Sequence, residues 1–131
     1  MILLDTHVLV WWLEDPSKLS PKALETIQEA IKQDALFISS ISFWEIALLY
    51  QKGRLKLNQP LLPWVSHIKQ LRLLSVISVD ADIALSSVLL PNPLHNDPAD
   101  RIIAATAQSQ HLTLITKDTK LRKYPHIATI W

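Results

Sequence analysis

Apolar residues fall into two rhythms along this chain. Short unbroken runs read as strands: ILL at 2–4, ALFIS at 35–39, LLSVISV at 73–79, TLIT at 113–116 and the weaker IATI at 127–130. Their lack of alternation suits a parallel sheet covered on both faces. Between them, apolar positions recur at helical spacing. Leu24, Ile27 and Ile31 share a face behind Ser20-Pro21, a capping residue followed by proline at the first helical position. Ile46, Leu49 and Tyr50 mark a second helix that ends near Gly53. Leu61, Trp64, Val65, Ile68 and Leu71 mark a third; Ile83, Ala84, Val88 and Leu89 mark a fourth, before Pro91 and Pro93 break the chain. From Ile102 to Ala107 the sequence is apolar on nearly every side, which predicts a helix enclosed between layers. Strands alternating with helices at this spacing predict an α/β fold, a three-layer α/β/α sandwich with a mainly parallel sheet of four or five strands. Ligands of such sheets bind beyond the carboxyl ends of the strands.

Composition narrows the chemistry. A length of 131 residues fits a single domain over 1–131, and 49% hydrophobic against 19% charged residues is the balance of a chain with a real core. The net charge of +1 predicts neither nucleic-acid nor membrane binding, so any such role must rest on local patches. Cysteine is absent, which removes disulfides, thiol catalysis and thiolate metal sites. The single glycine, Gly53, rules out dinucleotide-binding turns, phosphate-cradling P-loops and the GxSxG elbow. The five histidines, His7, His67, His95, His111 and His126, form no recognisable ligand spacing. The segment MILLDTHVLVWWLED has no basic leader and is interrupted by Asp5 and His7, so it reads as neither signal peptide nor membrane span. A soluble cytoplasmic protein is expected.

What remains is carboxylates and hydroxyls. Asp5 follows the first strand, Glu45 lies shortly after the second, Asp97 and Asp100 open the apolar helix, and Asp118 follows the fourth strand. Each has a plain structural reading. Asp5 can cap the helix beginning at Thr6, Ser42 and Glu45 fit an S-x-x-E capping box, Asp97 can be an N-cap ahead of Pro98, and Asp118 can start TKLRKY. Together they fall on one predicted edge of the sheet. Two carboxylates ~4 Å apart repel by ~4 kcal/mol at an effective dielectric of 20, so a cluster needs a cation or raised pKa values. Mg²⁺ or Mn²⁺ suits an all-oxygen site of this kind. Thr6, Ser39, Ser42 and Thr116 lie beside the acids, where they can orient carboxylates or bound waters, or simply cap helices and strand ends.

Four segments then carry a resemblance: ILLDTHVLVWWL, ISSISFWEIALLYQKGRLKL, HNDPADRIIAATA and LITKD. In this order and over nearly the full length, the chain resembles PIN-domain ribonucleases, most closely the VapC-type toxins of toxin–antitoxin pairs. The resemblance implies an endoribonuclease dependent on one or two Mg²⁺ or Mn²⁺ ions, in which water activated by metal hydrolyses RNA phosphodiester bonds to leave a 5′-phosphate and a 3′-hydroxyl. It implies a homodimer inhibited by a small cognate antitoxin. Carried over by motif, Asp5, Glu45, Asp100 and Asp118 are the metal-binding acids, and Asp97 is an auxiliary catalytic acid at the rim.

RNA must also be held. Lys117, Lys120, Arg122 and Lys123 form a basic cluster beside Asp118, and Arg101 adjoins Asp100; these are the candidate phosphate contacts. Lys52, Arg54 and Lys56 form a second cluster, as readily an ordinary solvated face. Trp11, Trp12, Trp44 and Trp64 lie in apolar helical stretches and are most simply core, although with Leu48, Leu49 and Tyr50 they exceed what a small core easily buries. Some are expected at a dimer or antitoxin surface. The competing reading is a non-catalytic PIN-like module that binds RNA or protein; the full set of acids argues against it. A phosphoacceptor receiver needs paired acids where DTH offers one, and a DxD phosphatase fails at His7.

Overall fold

A computed structural model of residues 1–131 builds the chain around five short strands. They are Ile2–Leu4 (β1), Leu36–Ser39 (β2), Ser75–Ile77 (β3), Thr113–Ile115 (β4) and Thr129–Ile130 (β5), in the order β3-β2-β1-β4-β5. Every neighbouring pair is parallel, with Leu3 opposite Phe37 on one side and Leu114 on the other. The expected strands are all present: β1 spans ILL as expected, and the other four are shorter than their apolar runs.

Helices Thr6–Glu14 (α1), Pro21–Lys32 (α2), Ile41–Gln51 (α3), Leu61–Gln70 (α4), Ala81–Leu89 (α5), Pro98–Ser109 (α6) and Thr119–Lys123 (α7) cover the two faces. Strand side chains alternate between them. Ile2, Leu4, Leu36, Ile38 and Ile115 pack with Val8, Leu9, Ile27, Ile46, Trp64 and Ile68 on one side. Leu3 and Leu114 pack with Ile83, Ile103, Ala104, Leu121 and Tyr124 on the other. The result is the expected three-layer sandwich. In α6, Ile103 to Ala107 are all buried, as the apolar run implied.

Local sequence explains the ends of the helices. Ser20 Oγ accepts the Ala23 amide at 3.0 Å, with Pro21 in the first turn of α2. At the end of α3, Gly53 takes φ +71°, the Gly53 amide donates to Tyr50 and the Arg54 amide to Leu49. This is a Schellman stop, and it explains why the chain's one glycine stands there. No helix is long and apolar enough to cross a membrane.

Candidate active site

The strand order runs outward in both directions from β1 and β4, so a crevice opens between their carboxyl ends. Asp5 directly follows β1, and Thr116 and Asp118 follow β4. Asp5 is buried; its Oδ1 accepts the Thr6 amide at 2.8 Å and its Oδ2 accepts the Thr116 hydroxyl at 2.6 Å. Burial pushes the Asp5 carboxyl above its ordinary value against these hydrogen bonds and the nearby His7, while the charge of Asp118 adds to the rise. Asp118 Oδ1 accepts the Lys120 and Leu121 amides, so it caps α7 as well as facing the crevice.

Glu45 reaches the same crevice from α3, but not as part of a capping box. The helix starts at Ile41, with Ser40 in the cap position and no side-chain cap bond. Ser42, one turn before Glu45, instead bonds the Thr6 hydroxyl at 2.8 Å between the two helices. That frees Glu45, whose Oε1 is buried without a hydrogen-bond partner. Burial raises its pKa, with the charges of Asp5 and Asp97 acting in the same direction and Thr6 and His7 opposing. Ser39 is buried too, but its hydroxyl accepts the Ile41 amide at 3.2 Å. It shapes the turn from β2 into α3.

At the start of α6, Asp97 Oδ1 accepts the Asp100 amide at 2.9 Å with Pro98 in the first turn, as the capping reading required. Asp100 is free to face the crevice. Its Oδ2 lies 2.7 Å from His95 Nε2, whose N–H donates when Asp100 is ionised. Burial holds the Asp100 carboxyl up at about 6; His95 opposes the shift, and the charges of Asp5, Asp97 and Asp118 add to it. His95 was not singled out from sequence. The available signal was a histidine five positions ahead of Asp100, in a loop fixed by prolines.

These side chains converge on one cavity of about 470 Å³, lined by Asp5, His7, Val8, Trp11, Glu45, Asp97, Asp100, Lys117 and Asp118. All five predicted acids are there. No three acidic or histidine side chains gather around a single point closely enough to form a finished ligand shell. The carboxylates instead stand apart around the walls, the arrangement their mutual repulsion favours.

The basic residues divide. Lys117 lines the acidic cavity, whereas Lys120 lines a neighbouring hollow with Asn92, Pro93, Leu94 and His95. Arg122 and Lys123 line a different hollow beside Thr129 and Trp131. Arg101, a candidate phosphate contact, turns inward in the free chain. Its guanidinium donates to the carbonyls of Ser87 at 2.8 Å, Leu94 at 3.1 Å, His95 at 3.3 Å and Val88 at 3.2 Å. That uses four of the five guanidinium N–H groups and ties the loop carrying His95 to the end of α5. Lys52, Arg54 and Lys56 are solvent-exposed.

Tryptophans divide similarly. Trp64 is buried core, with its indole donating to Glu14. Trp44 is exposed and, with Ala47, Leu48, Tyr50 and Leu61, lines a mostly apolar groove between α3 and α4. Trp11, expected in the core, is half-buried with one side in the acidic cavity.

A parallel α/β/α sandwich with an acid-lined cavity at its strand switch point defines the class of protein. The chain belongs to the PIN domain family, whose model matches residues 2–127. It is 36% identical over 132 residues to ribonuclease VapC22 of Mycobacterium tuberculosis, covering 99% of this chain and 98% of that protein. Solved structures share the fold. VapBC2 from Rickettsia felis, bound to a DNA fragment from its promoter, matches with a TM-score of 0.72 at 20% identity over 99% of this chain and 98% of that one. FitAcB from Neisseria gonorrhoeae matches with a TM-score of 0.72 at 24% identity, over 100% and 97%.

Proposed function

We propose that residues 1–131 act as a single-domain endoribonuclease, dependent on Mg²⁺ or Mn²⁺, and that the protein is the toxin of a toxin–antitoxin pair. The observation carrying this is the delivery of Asp5, Glu45, Asp100 and Asp118 to one cavity from four separate segments. The donor set fits a hard divalent cation, being all carboxylate oxygen. Glu45 Oε1 is buried with no protein partner, and Asp5, Glu45 and Asp100 all have raised pKa values that a cation would relieve. When bound, one or two such ions would supply Lewis-acid stabilisation of phosphate charge and a more acidic water.

The chain's own residues prepare that site. Thr116 and the Thr6 amide fix Asp5 by both oxygens. The bond between Thr6 and Ser42 braces the helix presenting Glu45, and His95 steadies Asp100. Asp97 serves at the rim, where its Oδ1 is already engaged by the helix amide. Lys117 is the basic residue best placed to meet a phosphate entering the cavity. Lys120, Arg122 and Lys123 lie further out and would meet only RNA that extends past it.

RNA as substrate is supported by the name of the M. tuberculosis relative, a ribonuclease. A small antitoxin partner is supported by the toxin–antitoxin assemblies among the structures that share this fold. Exposed Leu85, Val88 and Leu89 on α5, and Trp44 and Tyr50 on α3, supply apolar surface for that partner and for a homodimer. The cytoplasm, where RNA and antitoxin are made, is the compartment that goes with this function.

The test is direct. The purified chain, free of antitoxin, should cut RNA with Mg²⁺ or Mn²⁺ and stop on chelation. Full cleavage in excess EDTA would exclude the metal-dependent mechanism.

A further inference from the structure

The acidic cavity contains one usable aromatic surface. Only Val8 and Trp11 among its lining residues are apolar, and Val8 is 1% exposed, so the apolar area open to a ligand belongs to Trp11. The indole is held in place. Trp131 packs against it edge-on with ring centroids 6.0 Å apart, and His7, one helical turn earlier, lies at 5.8 Å with its ring tilted. Lys117 Nζ rests over the Trp11 ring, 5.8 Å from its centroid. His7 and Lys117 are both exposed and both line the cavity.

Charge alone binds RNA poorly here. Five carboxylates, Asp5, Glu45, Asp97, Asp100 and Asp118, face one lysine in the cavity, so a phosphate chain entering it meets repulsion that divalent cations would have to offset. A substrate therefore gains most from a group whose attraction does not depend on charge. The π-face of a nucleobase is such a group, and a rigid indole is a good partner for it. A base paired within a duplex has both faces covered by its neighbours; an unpaired one does not.

We propose that Trp11, flanked by His7, is a stacking platform for an unpaired nucleobase beside the phosphate to be cleaved. Lys117 rests on the indole in the free protein and moves to the adjacent phosphate when a base takes its place. The exchange is easy, because an exposed lysine is held on an indole only by a weak cation–π contact. The proposal rests on the endoribonuclease function above and narrows it. The stacking contact itself makes little demand on base identity, because every base has a π-face.

The test uses the full chain and two labelled probes: a short oligoadenylate, and the same ribose–phosphate backbone without bases. Binding is read in Ca²⁺ by anisotropy and by quenching of tryptophan fluorescence. The oligoadenylate should quench the wild type and leave Trp11→Phe unquenched at that position. Trp11→Leu should bind it about ten-fold more weakly, with Trp11→Phe restoring most of the loss. The abasic chain should bind all three proteins alike. Equal binding of oligoadenylate by wild type and Trp11→Leu overturns the platform, as does an equal loss for the abasic chain or no binding by the wild type. The difference in quenching between the wild type and Trp11→Phe carries the test even if Trp11→Leu fails to fold, since the other four tryptophans are common to both. Base-dependent binding without RNA cleavage supports the platform while the nuclease function fails. Cleavage by wild type and Trp11→Leu at equal rates removes the platform alone.

Discussion

The Thr116 hydroxyl donates to Asp5 Oδ2 at 2.6 Å and accepts the Asp118 amide at 3.0 Å. One side chain at the end of β4 thus positions two acids of the cavity. Thr116→Val keeps the shape but leaves the Asp118 amide and Asp5 Oδ2 without this partner. It should cost about 1–3 kcal/mol of stability by thermal melting. RNA cleavage should fall about 10–100-fold, the usual scale for losing a group that orients a ligand. Thr116→Ser should recover most of both. Valine at wild-type activity would show that Asp5 needs no such support.

Asp5→Asn should abolish cleavage while the circular dichroism spectrum stays native. Asparagine can still accept the Thr6 amide, so the cap on α1 survives while the charge is lost. Residual cleavage near the wild-type rate would remove Asp5 from the metal-binding set.

Asp100 gives a prediction with a sign. Its carboxyl titrates at about 6 in the folded chain, raised mainly by burial, against 3.8 ordinarily. The folded state therefore holds this proton more tightly than the unfolded state. Its contribution to stability is full below the ordinary value and is lost as pH rises through about 6. In EDTA, the melting temperature of the wild type should fall relative to that of Asp100→Asn as pH rises across this window. Near neutrality the variant should be the more stable, less about 0.3–1 kcal/mol of lost interaction with the start of α6. Mg²⁺ or Mn²⁺ should then raise the wild-type melting temperature more than that of the variant. A variant less stable at every pH, with the same metal response, would leave Asp100 as a helix-stabilising residue only.

The neighbouring acid should behave differently. Asp97 is exposed, and its Oδ1 is occupied by the Asp100 amide. Asparagine is an equally good N-cap, so Asp97→Asn should change stability by no more than a few tenths of a kcal/mol. Its loss of cleavage should be much smaller than that of Asp100→Asn. Side-by-side rates at saturating metal would decide it, and the reverse order would exchange the two roles.

Lys117 and Arg101 should separate in a salt titration. Lys117→Gln should reduce the slope of log affinity for single-stranded RNA against log salt by about 0.7, the value of one phosphate contact. Arg101→Gln should leave that slope unchanged. It should lower the melting temperature instead, because carbonyls of Ser87, Val88, Leu94 and His95 lose their donors. A slope change in Arg101→Gln would return that residue to the RNA contacts.

The central strands β1, β2 and β4 were legible because buried parallel strands are unbroken apolar runs. LLSVISV overshot because β3 is an edge strand, and only Ser75–Ile77 pair with β2. The acids were legible as a set, since each follows a strand or opens a helix. Their supports were less so. Thr116 and Asp5 are 111 positions apart, and no local pattern links them. The S-x-x-E spacing at Ser42 suggested a cap that a helix starting at Ile41 does not need. Adjacency to Asp100 does not place Arg101 in the crevice, because neighbouring residues on a helix point about 100° apart. It turns toward α5 while Asp100 turns to the crevice.

The pairing of Ile2 with Thr113 puts an early segment of the chain directly beside a late one, at the middle of the sheet. No fragment that stops short of β4 can bring Asp5 and Asp118 together, and loop closure on this scale is slow. A ribosome partway through the message therefore carries a chain whose acidic cavity is not yet assembled. On the function proposed above, cleavage can begin only once β4 has joined the sheet and the cavity is complete.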